Sequence, residues 1–523
     1  MEEKVEVIVK YHGSLDSLRE MGVQVDTLYG GFAILLLGES QVALLKDMEQ
    51  IEYMEIPRQF YYEQVDVAES ACFPSLLVRD DGGEGVLLAI LDSGIMLQNP
   101  EFLDDEGRTR VRFLYDEGQR RVWTKEAIDE LLEEEDAVLP GADISGHGTA
   151  VAGIAAGSIT GLAKGAELLI VKLASQSPEG FPGTTTIMRG ATFAMDKALE
   201  ENKPLVMNLS FGNTYGAHDG SSILEQYLDV LCQRGKTSIV VGAGNEGNTG
   251  GHVYTTGRER ETIPFLVGAY ETSLSVQIWY AGEDDYEFSL TAPDGTSIRL
   301  EQEISTGRYL VAYPGVVAYI TYEESSPYRT KQELFVELFA EDGYLTQGEW
   351  QVWINPGEVK VGGIDLYLPS GEARSTSTRF VQATPDKTIT IPATAGRVIS
   401  VGAYDTRYGS YATFSGRGYV LRGEREEDVY EVKPDLAAPG VGITAPGIYG
   451  GMVTVNGTSF ATPVVSAAAA ILMQEGIVKG RDPYLYGERL KALLRKGTKS
   501  GRGLEIPSDT LGYGFLCLES VLE

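Results

Sequence analysis

Cysteine, histidine and positive charge are all scarce in this chain. Its 523 residues include three cysteines, Cys72, Cys232 and Cys517, too few and too scattered for a disulfide framework or a paired-cysteine metal site. A reducing compartment fits that count. Lysine and arginine number 43 against 76 acidic residues, and the net charge of −33 argues against nucleic acid and anionic membrane surfaces as partners. No run approaches the roughly 18 apolar residues of a membrane span. The start, MEEKVEVIVKYHG, carries two acids and no apolar signal core, so no secretory signal is expected and the chain should be cytoplasmic at synthesis. What is plentiful is apolar residue, 43% of the chain, enough for two or three domains with sizeable cores.

Only four histidines can serve as a base near neutral pH. His12 ends the first strand-like segment, while His218 and His252 fall in Gly-rich loops. His147 is different: in DISGHGTAVAGIAAG, residues 143–157, a Gly-flanked histidine opens a helix of small residues that another backbone can approach closely. The run NGTSFATPVVSAAAA, residues 456–470, also reads as a helix start, with Thr458 or Ser459 near the cap and Pro463 close enough to the terminus to be tolerated. GVLLAILDSGI, residues 85–95, is a buried parallel strand whose carboxyl end presents Asp92. A serine needs a base and the base needs an orienting group, so Asp92, His147 and Ser459 form a coherent set.

These three stretches resemble the subtilisin-like serine peptidases, whose reactive residues occur in the order Asp, His, Ser. VKL at 171–173, NLSFG at 208–212, GAGNEG at 242–247 and PDLAAPG at 434–440 agree with the same family. The resemblance implies an Asp92–His147–Ser459 triad and an oxyanion hole made by Asn245 and the Ser459 backbone N–H. It implies first-pocket walls at Ser210, Phe211 and Gly212 and at Gly242, Ala243 and Gly244, with Gly180, Phe181 and Pro182 as an edge for an extended peptide. With His147 as base, activity should decline as pH falls through about 6 to 7. No cofactor and no metal are expected; GIAAGSITGLAKGAELLIVKL lacks the long calcium loop of compact relatives, so no calcium is expected at that site.

Along the chain the expected organisation is α/β: a subtilisin-like parallel-sheet catalytic domain with an N-terminal α+β propeptide and an inserted all-β jelly roll. The propeptide covers 1–62, the catalytic domain 63–254 and 386–523, and the jelly roll 255–385. The acidic run DELLEEED, 129–136, reads as a solvated helix face, and Trp279, Trp350 and Trp353 read as packing rather than a sugar platform. This set of parts resembles the Csp germination proteases of spore-forming Clostridia, which implies a spore-cortex hydrolase zymogen as substrate and incorporation in the spore. Expected partners are thus a protein or peptide substrate and the chain's own cleaved propeptide, retained as an inhibitor. The extended tail EIPRQFYYEQ, 55–64, fits the cleft, and self-cleavage is expected between Gln59 and Gln64. The competing readings are a silent subtilase-fold scaffold and a carbohydrate-binding module carrying a vestigial enzyme.

Overall fold

The computed structural model describes residues 4–45, 47–58, 61–62, 81–175, 182–300, 307–313, 315–422, 429–500 and 504–522. At its centre parallel strands run in the order Ile399–Asp405, Thr237–Gly242, Leu205–Leu209, Leu87–Asp92, Glu167–Lys172 and Val111–Asp116, extended by short edge strands. These strands are nearly continuous apolar runs because both faces are covered. On one face Leu88 and Ile90 pack against helices His147–Ala156 and Thr458–Met473. On the other, Leu87, Ala89 and Leu91 pack against helices Thr184–Glu200 and Ile223–Cys232. The loops at the carboxyl ends of the strands form the crevice in which ligands of such sheets bind.

Two departures from the sequence reading concern the helix that begins at Thr458. Pro463 is its sixth residue, well inside the helix. Proline removes the N–H that would bond the Ser459 carbonyl one turn back, and that carbonyl instead accepts the Ser210 hydroxyl at 2.8 Å. The helix continues to Val478, and this 21-residue segment is long and apolar enough to cross a membrane, although no such run stood out in the sequence. Its most apolar window is 89% buried within the fold, which makes it the central core helix.

N-terminal to the sheet, strands Lys4–Tyr11, Gln24–Thr27, Phe32–Gly38 and Ile51–Glu55 form an antiparallel sheet in the order second, third, first, fourth. Its Ile8, Phe32 and Ile34 join the core beneath helices Thr184–Glu200 and Ile223–Cys232. Phe32 meets Tyr227 edge-on at 5.6 Å, Tyr29 bonds Asp196, and Arg189 pairs with Glu6 and Asp26.

Between the two parts of the parallel sheet lies a β-sandwich of a six-stranded and a five-stranded antiparallel sheet. Its long-range pairings nest: His252–Thr255 with Ile364–Tyr367, Glu261–Val267 with Gly348–Pro356, and Ser273–Ala281 with Lys331–Ala340. Nested pairing of this kind brings the two ends of the segment together at the central domain. His252 opens the first strand, so it belongs to the sandwich and not to a loop, and pairing starts three residues before the boundary read from sequence. Trp279 and Trp350 are buried, whereas Trp353 is 42% exposed on the outer face and packs in neither core. Helix Lys125–Glu133 carries only the first part of the acidic run, and residues 134–136 follow it as an exposed turn. Cys232 and Cys517 are free thiols within the fold, and Cys72 lies outside the described residues.

The sandwich grips the central domain through polar contacts. Gln277 donates to Thr214 O at 3.1 Å and accepts from Gly216 N at 3.1 Å, while Thr214 Oγ1 donates to Leu368 O. Tyr367 lies between the rings of His218 and His252, at 4.1 and 4.4 Å. Burial holds His218 well below the usual imidazole range, at about 4, although carbonyls of Thr214 and Ile389 oppose the shift.

Candidate active site

Asp92 is the last residue of its strand, and His147 is the first of helix His147–Ala156. His147 Nδ1 lies 2.8 Å from Asp92 Oδ1, and both side chains are almost completely buried. Asp92 Oδ1 also accepts the Ser93 backbone N–H at 2.7 Å, which fixes the carboxylate plane. The helix approaches the strand end this closely because residue 148 is glycine: an added Cβ would lie 2.3 Å from the Gly94 carbonyl and 3.1 Å from Asp92.

Asp143 anchors the same helix and escaped the sequence reading. Its carboxylate accepts from Gly146 N at 2.9 Å, Thr149 N at 2.8 Å, Thr149 Oγ1 at 2.7 Å and Ser93 Oγ at 2.8 Å. An aspartate just ahead of a helix is a capping signal in sequence, but its link to Ser93 depends on the packed structure.

Ser459 is the second residue of the central helix, beside a Gly457 held at φ 143°. Its Oγ donates to Ser210 O at 3.1 Å, the partner of the Ser210-to-Ser459 bond already noted. Phe460, the next residue, brings its ring within 5.5 Å of the His147 imidazole. Asn245 is oriented from the same helix start: its Oδ1 accepts from Thr458 N at 3.1 Å and Thr458 Oγ1 at 3.3 Å. That leaves Asn245 Nδ2 buried with no hydrogen-bond partner among the described residues. A preorganised, unpaired N–H beside a serine is suited to stabilising negative charge that develops on a substrate oxygen.

Of the expected peptide-binding backbone, Phe211–Gly212 pairs antiparallel with Tyr61–Tyr62, with Phe211 opposite Tyr62 and Gly212 opposite Tyr61. The N-terminal part of the chain thus already lies along this edge as an added strand. Gly242 closes strand Thr237–Gly242, and Gly244 adopts φ 88°. Ala243 O accepts from Thr390 N at 3.0 Å, which ties that wall to the segment returning from the sandwich. Pro182 forms an isolated bridge with Ser175, while Gly180 and Phe181 lie outside the described residues. Next to Asn245, the Glu246 carboxylate accepts from Gly371 N at 3.1 Å and Thr249 Oγ1 at 2.8 Å, joining this loop to the sandwich. A cavity of about 390 Å³ opens here, lined by Gly212, Asn245, Glu246, Thr390 and Arg374 among others. A second, of about 360 Å³, lies beside His147 under Ile448, Met452 and Phe460.

The chain belongs to the subtilase family, which it matches over residues 83–341 and 370–514. Residues 1–58 match the Csp protease B prodomain. The CspB protease of Clostridium perfringens is similar in structure, with a TM-score of 0.79 and 35% identity, over 86% of this chain and 95% of that one. Minor extracellular protease Vpr of Bacillus subtilis is 26% identical over 75% of this chain, which spans 46% of Vpr's length. The epidermin leader peptide processing protease of Staphylococcus aureus, at 14% identity and a TM-score of 0.50, shares the fold.

Proposed function

We propose that the chain is a serine endopeptidase that cuts itself behind its N-terminal prodomain and then acts on another protein. The observation that carries the reading is the buried 2.8 Å contact between His147 Nδ1 and Asp92 Oδ1 beside the start of the Ser459 helix. With Nδ1–H donated to Asp92, the basic lone pair resides on Nε2. As Ser459 Oγ attacks a peptide carbonyl, His147 Nε2 takes its proton and Asp92 stabilises the imidazolium; the proton then passes to the leaving amine. The Asn245 Nδ2 donor and the Ser459 backbone N–H receive the negative charge of the tetrahedral intermediate. Water hydrolyses the acyl-enzyme by the same steps in reverse.

Support for self-cleavage comes from the tail pairing at Tyr61–Tyr62, which presents one segment at very high effective concentration. The prodomain's buried contacts with helices Thr184–Glu200 and Ile223–Cys232 favour its retention as an inhibitor. In line with the Csp-type prodomain, the proposed substrate is the zymogen of a spore-cortex hydrolase and the proposed location is the spore. The test is a comparison of the native chain with Ser459→Ala on denaturing gels. Two chains are expected from the first and one from the second; a single uncut chain from both would put the silent-scaffold reading ahead.

A further inference from the structure

Three donors converge on Asp92 Oδ1: His147 Nδ1 at 2.8 Å, the Ser93 backbone N–H at 2.7 Å and the Ser93 hydroxyl at 3.2 Å. Asp92 Oδ2 has no partner among the described residues. A carboxylate oxygen offers about two lone pairs, so the hydroxyl and the imidazole compete for one of them. Asp143 decides that competition. It is 3% exposed, and its Oδ1 lies 2.8 Å from Ser93 Oγ, nearer than Asp92 Oδ1 does. The Ser93 hydroxyl has a single proton to give, while its oxygen receives the Gly148 N–H at 3.0 Å and the Ser145 hydroxyl at 2.9 Å. With Asp143 in place that proton goes to Asp143. Without it, the acceptor left to the proton among these neighbours is Asp92 Oδ1.

We infer that Asp143 is a positioning residue for the triad: by holding the Ser93 hydroxyl proton, it reserves Asp92 Oδ1 for His147. The inference rests on the peptidase reading. It goes beyond the anchoring of the helix, which the contacts of Asp143 with Gly146 and Thr149 account for. As His147 takes the Ser459 proton, the imidazolium is stabilised by the negative charge that Asp92 Oδ1 presents to it. A third donor on that oxygen draws on the same charge and weakens the charge-assisted bond. Because Ser93 also receives the Gly148 N–H, in the first turn of the His147 helix, the same side chain sets the helix start against the strand end.

The rate of self-cleavage during cell-free translation of the full chain tests this, since an intramolecular cut reads the chemical step without a binding step. Asp143→Ala should slow it about tenfold, the scale of one net hydrogen bond. Asp143→Asn, with its carbonyl oxygen turned to Ser93 and Gly146, should recover most of that loss although it gives up the Thr149 contacts. Asp143→Ser, which still caps Gly146 but sits farther from Ser93, stands in if Asp143→Ala does not fold. Ser93→Ala removes the competing hydroxyl, so adding Asp143→Ala to it should slow the cut by less than about twofold more, while thermal stability still falls. An Asp143 that only holds the helix would slow both backgrounds alike. In Ser459→Ala chains carrying nitrogen-labelled histidine, the His147 Nδ1–H proton resonance should move upfield with Asp143→Ala and return when Ser93→Ala is added. Equal slowing in the two backgrounds, or an unmoved resonance, overturns the proposal. A native chain that neither cuts itself nor takes a fluorophosphonate at Ser459 overturns the peptidase reading instead, and the resonance then decides the hydrogen-bond assignment by itself.

Discussion

Arg58 should be the residue on which docking of the N-terminal subdomain depends most, because it reaches three parts of the fold at once. Its backbone N–H donates to Thr184 Oγ1 at 2.7 Å and its carbonyl accepts from Thr184 N at 2.6 Å, fixing the tail to the start of helix Thr184–Glu200. Its guanidinium lies 2.5 Å from Glu333 Oε2 in the sandwich and 5.1 Å from the Phe335 ring centroid. Glu333 is 1% exposed, and burial pushes its carboxyl above the ordinary value while Arg58 opposes that shift. Arg58→Ala leaves this carboxylate buried without its paired cation, with Arg329 still lowering it. Removing one partner of a buried pair costs about 3 to 5 kcal/mol, or about a hundred- to several-thousand-fold in the docking equilibrium. Hydrogen exchange of Lys4–Tyr11 and Phe32–Gly38, measured in a Ser459→Ala background that stays one chain, should accelerate by about that factor. Replacing both partners with apolar residues of similar size, Arg58→Met with Glu333→Leu, should recover most of the loss. Exchange in Arg58→Ala within threefold of its parent would refute the argument that this pair holds the subdomain.

Asn245→Ala should keep the fold and lower the turnover number about a hundred- to thousand-fold with little change in KM, since the role proposed for its N–H, which has no partner among the described residues, is exerted in the transition state. Gly148→Ala should abolish self-cleavage in a chain that still expresses as a folded protein by circular dichroism, because its Cβ forces the His147 helix away from Gly94 and Asp92. Glu55 gives a pH dependence: its carboxylate accepts the Ile223 N–H at 3.0 Å, and burial raises it to about 7 against Arg58, which lowers it. The docked value lies above the ordinary 4.5, so docking is strongest below about pH 4.5, weakens as pH rises to about 7 and is level above that. The full change is about 3 kcal/mol. Prodomain dissociation after cleavage should therefore be faster at pH 8 than at pH 5, and Glu55→Gln should flatten the profile.

Much of the candidate site was legible because each residue proposed to react sits in a local signal. Asp92 ends an apolar run, His147 is flanked by glycine at a helix start, and Ser459 follows a turn into small residues. The alternation of strands and turns likewise gave away the inserted sandwich, since a sheet packed on one face prints a period of two on the chain. Sequence also located the N-terminal subdomain and the tail that pairs with the cleft edge. These features are local: short-range periodicity and capping determine them before any long-range contact forms.

The rest depended on residues distant in the chain. Pro463 looked like a tolerated helix-start proline, yet its effect is to release the Ser459 carbonyl to Ser210, which lies between strands Leu205–Leu209 and Phe211–Gly212. Trp353 carries the same apolar mark as Trp279 and Trp350, but strand register turns it outward. Thr390 has no motif, and only the return of the chain from the sandwich puts it between Gly212 and Gly244. Arg58 and Glu333 are ordinary charges until docking removes water from both. A threonine set between two glycines and a buried ion pair are properties of surfaces brought together, so tertiary structure decided them, while the sequence alone determined which chemistry those surfaces would surround.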